Sequence, residues 1–220
     1  MNILALDTCL GACSVAVRDD GRVLAAASEV MARGHQERLA PMAREVMSEA
    51  GLTFARLDRI AVTVGPGSFT GLRVGLAFAK GLALALERPC VGVGVLEALG
   101  LGSAHAGFVV ACIDAHRGQV YVQAFADGRA VMAPDVLSLE TASARLIELY
   151  AGGPAVLIGS GAALLRAALP EALAEPDALP DPAAIADLAR RARPPFPPPR
   201  PLYLRAPDAR PPRTGPRRDA

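Results

Sequence analysis

Apolar and polar positions run along the chain in two successive series. Residues 2–8 begin with alternating and then continuous apolar residues, and residues 13–18 alternate. Asp20-Gly21, a two-residue hairpin signal, then leads into residues 23–30. This pattern predicts three antiparallel strands. Helical spacing follows over 36–50, with Leu39, Met42, Ala43, Val46 and Met47 on one stripe and Gly51 in a C-cap position. Residues 59–64 read as a buried strand, followed by the turn Gly65-Pro66-Gly67-Ser68. A helix over 69–86 stops before Pro89, residues 90–93 make another strand, and 95–105 give a short helix running into a glycine-rich joint.

The second series repeats the first. Residues 108–113 form an apolar strand ending at Asp114, 119–126 alternate, and Asp127-Gly128 turns the chain into a strand over 130–133. Asp7 stands fourteen residues before Gly21, and Asp114 fourteen before Gly128. A helix over 139–150, a strand over 155–158 and a helix over 161–169 complete a second βββαβα unit. Agreement in order and spacing predicts an internal duplication, with residues 1–105 as an N-terminal lobe and 106–205 as a C-terminal lobe. Two such α/β halves with mixed sheets would face each other across a cleft, as in the actin-like ATPase (ASKHA, ribonuclease H-like) fold. In that fold the two strand-end aspartates handle magnesium and phosphate; alternatively, Asp7 and Asp114 each cap a turn. The sequence leaves both readings open.

Between Gly71 and Leu86 only Arg73 and Lys80 are charged, so the second helix lacks a polar face. One sheet covers one side of a helix, which leaves an apolar side for something else. Gly71, Gly75, Ala79 and Ala83 recur every four residues, a strip flat enough for close helix approach. The two helices are therefore expected to form a partner interface through Leu39, Met42, Ala43 and Val46 on one and Gly71, Leu72, Gly75, Leu76 and Ala79 on the other.

Composition bounds the chemistry. At 52% hydrophobic and 20% charged, the 220 residues describe a globular chain. The uncharged stretch 98–113 is too short and glycine-broken to span a bilayer, and no signal peptide is legible, so a cytoplasmic protein is expected. Cys9, Cys13, Cys90 and Cys112 form no C-x-x-C pair and read as buried thiols. The formal charge of +1 hides polarity, because residues 190–220 hold nine arginines against Asp208 and Asp219. That segment also carries ten of the nineteen prolines and is expected to be extended, with the tail 206–220 disordered. The glycine-rich turn at 65–71 is not a Walker A loop, since Leu72 and Arg73 follow Gly71 where lysine and a hydroxyl residue would be needed. His35 has Leu39, not a second histidine, four residues on, so no metal site is expected.

The segments around Asp7-Thr8, His35 to Leu39, Gly65-Pro66-Gly67-Ser68-Phe69-Thr70-Gly71-Leu72-Arg73, Ile113-Asp114-Ala115-His116-Arg117-Gly118-Gln119 and Pro201-Leu202-Tyr203-Leu204-Arg205 together resemble the TsaB (YeaZ) family in order and spacing. The resemblance covers residues 1–205. It implies a non-catalytic dimerisation subunit that pairs with a homologous catalytic subunit, TsaD, in threonylcarbamoyl transfer to N6 of the adenosine next to the tRNA anticodon. It also implies that the small ATPase TsaE is reached through that complex, tRNA is met only there, and the chain alone forms a homodimer. No catalytic residue and no required cofactor follow from it. Asp7, Thr8, Asp114, Gly159 and Gly161 would line a vestigial nucleotide cleft with room for weak nucleotide binding. The competing expectation is an active actin-fold ATPase or phosphotransferase, with nucleotide between the lobes. A peptidase finds no hydrolytic constellation in the chain.

Overall fold

A computed structural model describes residues 1–205. The tail expected to be disordered, 206–220, lies outside the described residues. The first three strands are β1 (Ile3–Asp7), β2 (Ala12–Arg18) and β3 (Val23–Val30), antiparallel as the alternation requires. Helix α1 (His35–Glu49) leads through β4 (Arg59–Thr63) to α2 (Phe69–Leu86), and β5 (Cys90–Val93) and α3 (Val95–Gly102) come next. Gly51 adopts φ +66°, the left-handed stop expected after α1. Strands β4 and β5 join parallel beside β1, giving the order β3-β2-β1-β4-β5.

The second half reproduces that order. Strands β6 (Phe108–Asp114), β7 (Gln119–Ala126), β8 (Arg129–Ala130), β9 (Asp135–Ser138), β10 (Ala155–Ile158) and β11 (Leu173–Glu175) form a sheet β11-β10-β6-β7-β8, with β9 also paired to β7. Here β6 corresponds to β1 and β10 to β4, antiparallel and parallel neighbours falling in matching places. The duplication seen in the sequence is thus a duplication of topology.

Three elements differ from the sequence reading. The strand expected over 130–133 does not form beyond Ala130: β8 ends there, and pairing resumes only at β9, from Asp135, after Pro134, which has no N–H for the ladder. The helix expected over 161–169 is only a 3-10 turn (Ala162–Leu165). A helix absent from that reading, α5 (Pro182–Arg191), is started by Asp181, whose Oδ1 accepts the Ala183 N–H at 2.8 Å, with Pro182 in the first turn. Helix α4 (Leu139–Leu149) matches its expectation.

Helix α5 comes after the second lobe in sequence yet packs on the first. Its Ile185, Ala186 and Ala189 meet Ile3, Ala5, Ala61 and Val91 on one face of the first sheet, while α1 and α2 cover the other. The boundary at 105/106 therefore separates the sheets but not the packing, since residues 182–203 return to the first lobe. Arg59 fixes this return: its Nη1 donates to the Ala189 and Ala192 carbonyls at the end of α5, and its guanidinium carbon lies 4.4 Å from the Phe196 ring centroid. Beyond α5 the chain runs as an extended strap. Pro199 lies against Gly92 on the edge strand β5, and the Leu202 N–H donates to the Val64 carbonyl at 2.7 Å. The lobes share one core through α3, where Leu96 and Leu99 join Val109, Ile113 and Phe125 to the first-lobe residues.

Candidate functional site

Asp7 ends β1 and Asp114 ends β6, as duplication demands, yet their surroundings have diverged. Asp7 is 1% exposed. Its Oδ1 accepts the Thr63 hydroxyl at 2.5 Å and the Cys9 N–H at 3.0 Å, while Thr8 turns away to donate its hydroxyl to the Gly71 carbonyl at 2.7 Å. Burial raises the Asp7 carboxyl above its ordinary value, against the opposing pull of the Thr63 and Cys9 hydrogen bonds and the field of His35. Asp114 is partly exposed. It accepts the His116 N–H at 2.7 Å, faces His116 Nδ1 at 3.3 Å, and its own N–H donates to Ser160 Oγ at 3.1 Å.

Between the lobes lies a cleft of about 740 Å³, lined by Leu10, Val30, Ser68, Asp114, Tyr121 and Arg205 among others. Asp114 lines it; Asp7 and Thr8 do not. Gly159 and Gly161 are spent on packing: a Cβ at Gly159 would stand 2.5 Å from the Cys112 carbonyl oxygen, and one at Gly161 3.1 Å from the Cys112 carbonyl carbon. Of the five residues expected at a vestigial nucleotide site, one therefore reaches the open cleft. A magnesium held between two strand-end carboxylates needs both accessible, and here one is sealed into the core.

Among the described residues no group of three or more His, Cys, Asp or Glu side chains is placed to hold a metal. His35 does not cap α1, whose N-cap is Gly34, and its Nε2 is buried with no hydrogen-bond partner among the described residues. Burial pushes the Cys112 thiol up to about 12, Cys13 and Cys90 to about 11, and raises Cys9 as well, so no cysteine is poised as a nucleophile.

The two helices require a correction. Leu39, Met42, Ala43 and Val46 of α1, and Gly71, Leu72, Gly75, Leu76 and Ala79 of α2, are all buried within the chain's own first lobe. They cover the sheet, and of the nine only Leu39 also lines the groove between the two helices. The small-residue strip serves the fold: a Cβ on Gly71 would lie 2.0 Å from the Thr8 carbonyl oxygen, and one on Gly75 2.5 Å from Thr8 Oγ1. Helical periodicity identified the stripe but not which side faced out.

The opposite side of α2 is the unpartnered one. Leu84 is 82% exposed and Phe69 56%, with Ala77, Gly81 and Ala85 exposed and Val74 and Phe78 half-buried between them. An open groove of about 520 Å³ runs between α1 and α2, lined by Gln36, Leu39, Phe69, Arg73, Val74 and Phe78. By length and composition alone α2 could cross a membrane, but six of its residues are buried against the first sheet. Its outer face remains a contiguous apolar patch of the kind that marks an association surface.

A two-lobed actin-like architecture with a duplicated mixed sheet is thus the class defined by the fold. The same architecture recurs in the ROK hexokinase of Thermus thermophilus, at 17% identity and a TM-score of 0.54 over 87% of this chain and 100% of that one. Residues 27–156 match the family model described as TsaD: tRNA N6-adenosine threonylcarbamoyltransferase. The structure of YeaZ from Pseudomonas aeruginosa aligns with a TM-score of 0.75 and 34% identity, covering 86% of this chain and 90% of that one. The chain belongs to the TsaB (YeaZ) family. The tRNA threonylcarbamoyladenosine biosynthesis protein TsaB of Escherichia coli is 42% identical over 124 residues, 55% of this chain and 53% of the E. coli protein, so the match spans about half that relative's length.

Proposed function

We propose that this protein acts in tRNA threonylcarbamoyladenosine biosynthesis as a non-catalytic subunit that pairs with the homologous threonylcarbamoyltransferase, TsaD, through the outer face of α1 and α2. The observation that carries this reading is the contrast between a sealed Asp7 and an open, apolar α2 face bearing Leu84 and Phe69. A family relationship to proteins named for that pathway supports the pathway. An ATPase or phosphotransferase is disfavoured by the burial of Asp7, the diversion of Thr8 to Gly71 and the packing of Gly159 and Gly161. On this reading no cofactor is required, any nucleotide in the cleft is held weakly, TsaE and tRNA are met through the complex, and the work is done in the cytoplasm. Unpaired, the same face would join two copies.

Two measurements test this. The protein and the transferase are co-purified, and tRNA modification is reconstituted with and without this chain. The proposal requires a stable pair and modification that depends on it. Full modification in its absence, or steady ATP hydrolysis by the isolated chain that is lost in Asp114→Asn, would overturn it.

A further inference from the structure

Residues 199–205 cross from the first lobe to the second, passing over the N-terminal end of the face just described. The Tyr203 ring stacks on Phe69 with centroids 5.9 Å apart and planes 30° apart. Arg73 sits 3.7 Å from the centroid of the same Phe69 ring, and its Nε donates to the Tyr203 hydroxyl at 3.5 Å. Both aromatic rings are more than half exposed, 56% and 52%, which is costly for a cluster with no further role. Tyr203 is held from both sides. One residue before it, the Leu202 N–H is bound to Val64; two residues after it, Arg205 Nη2 donates to Gln119 Oε1 at 2.6 Å, with the guanidinium carbon 5.9 Å from the Tyr121 ring centroid. Gln119 and Tyr121 belong to β7, so the position of Tyr203 on α2 is set partly by the other lobe.

Charge points to what meets this cluster. Arg73 and Lys80 are the two charged residues on α2, both cationic, and neither has a carboxylate partner among the described residues. By contrast, Arg38 on α1 is already bound by Glu29 at 2.7 Å and by both oxygens of Glu45 at 2.9 Å. Clusters of Tyr, Phe and Arg with an unpaired guanidinium have the composition of interaction hot spots.

We propose that the strap is the third element of the pairing surface, with Tyr203 orienting Arg73 toward a carboxylate of the partner subunit and Arg205 acting as a positioning residue for Tyr203. This rests on the pairing with the homologous transferase proposed above. It gives the second lobe a part in pairing although that lobe contributes no helix to the face.

Affinity for the purified transferase is measured by calorimetric titration, with circular dichroism and thermal melts run beside each variant. Tyr203→Ala weakens pairing about thirtyfold, the size of a hot-spot truncation, while Tyr203→Phe keeps the stack and most of the affinity. Arg205→Ala weakens pairing less, Arg205→Lys partly restores it, and in the Tyr203→Ala background Arg205→Ala adds nothing, since it acts through Tyr203. Arg73→Gln weakens pairing and flattens its salt dependence between about 0.05 and 0.5 M, because a screened charge pair is gone. Wild-type affinity in Tyr203→Ala and Arg205→Ala, with pairing lost in Leu84→Arg, overturns the role of the strap and leaves the helix surface standing. Additive losses from the two strap variants overturn the positioning claim. Unchanged pairing in Leu84→Arg removes the helix surface and the strap proposal together.

Discussion

The two lobes share a strand order and diverge after their first parallel strand. Beyond β4 the chain passes through Gly65 to Ser68 into an 18-residue apolar helix; beyond β10 it makes one turn of 3-10 helix at Ala162–Leu165. Both connections press a glycine onto the end of the lobe's first strand, Gly71 onto Thr8 and Gly161 onto Cys112 and Ile113. The constraint common to the two lobes is therefore a packing constraint, and it survives duplication. Symmetry of the cleft and of the surface did not survive. In the first lobe the aspartate is closed into the core and the outer side of α2 is apolar, while in the second Asp114 stays open.

The comparison is broken most severely at Gly71. A Gly71→Val variant should lose more than about 3 kcal/mol in chemical denaturation, since its Cβ meets backbone that cannot withdraw. Leu76 and Leu84 then separate the two faces of α2. Leu76→Ala, on the inner face, should cost about 2–5 kcal/mol of stability. Leu84→Arg, on the outer face, should change stability by less than about 0.5 kcal/mol yet weaken pairing about a hundredfold, as a charge forced into a buried contact does. Equal effects of the two substitutions on folding would erase the distinction between inner and outer faces.

The carboxylates give a smaller, signed contrast. Asp7 is raised by burial, so the stability of its neutral form is fully present below its unfolded value of 3.8 and is lost as pH rises through the folded value. Asp7→Asn keeps an acceptor for Cys9 and Thr63 and should melt at least as high as the native protein at pH 7, with the advantage shrinking toward pH 4. Asp114→Asn, at a partly exposed site, should move the melting temperature little. Smallest are the two hairpin glycines. Gly11 has open space and no positive φ, so Gly11→Ala should stabilise by about 0.4–1 kcal/mol, whereas Gly118 at φ +72° should lose about 1 kcal/mol as alanine.

Much of the fold was legible because periodicity and turn chemistry agree with tertiary structure over most of the chain. The first three strands, α1, α2 and the repeated hairpin all arise from alternation, from a 3.6-residue stripe and from Asp-Gly turns. The third strand of the second lobe was misread where Pro134 interrupts an otherwise strand-like run. Helix α5 has a strong start signal in Asp181-Pro182, but the sequence reading assigns no element to residues 170–189. The site was legible only in outline. Seeing that α2 lacks a polar face identifies a helix with two apolar sides. Deciding which side meets the sheet depends on Gly71 and Gly75 fitting against Thr8, a contact between residues more than sixty positions apart. Nothing in the local sequence around Tyr203 and Arg205 shows that they bind Phe69 and Gln119, since both contacts are long-range.

Reconstituted tRNA modification with two variants, Leu84→Arg and the double variant Asp7→Asn/Asp114→Asn, sets the surface directly against the cleft. The account predicts full modification with the double variant and loss of modification with Leu84→Arg, alongside normal folding of both by circular dichroism. Loss of modification with the double variant and full modification with Leu84→Arg would place the function in the cleft and contradict it.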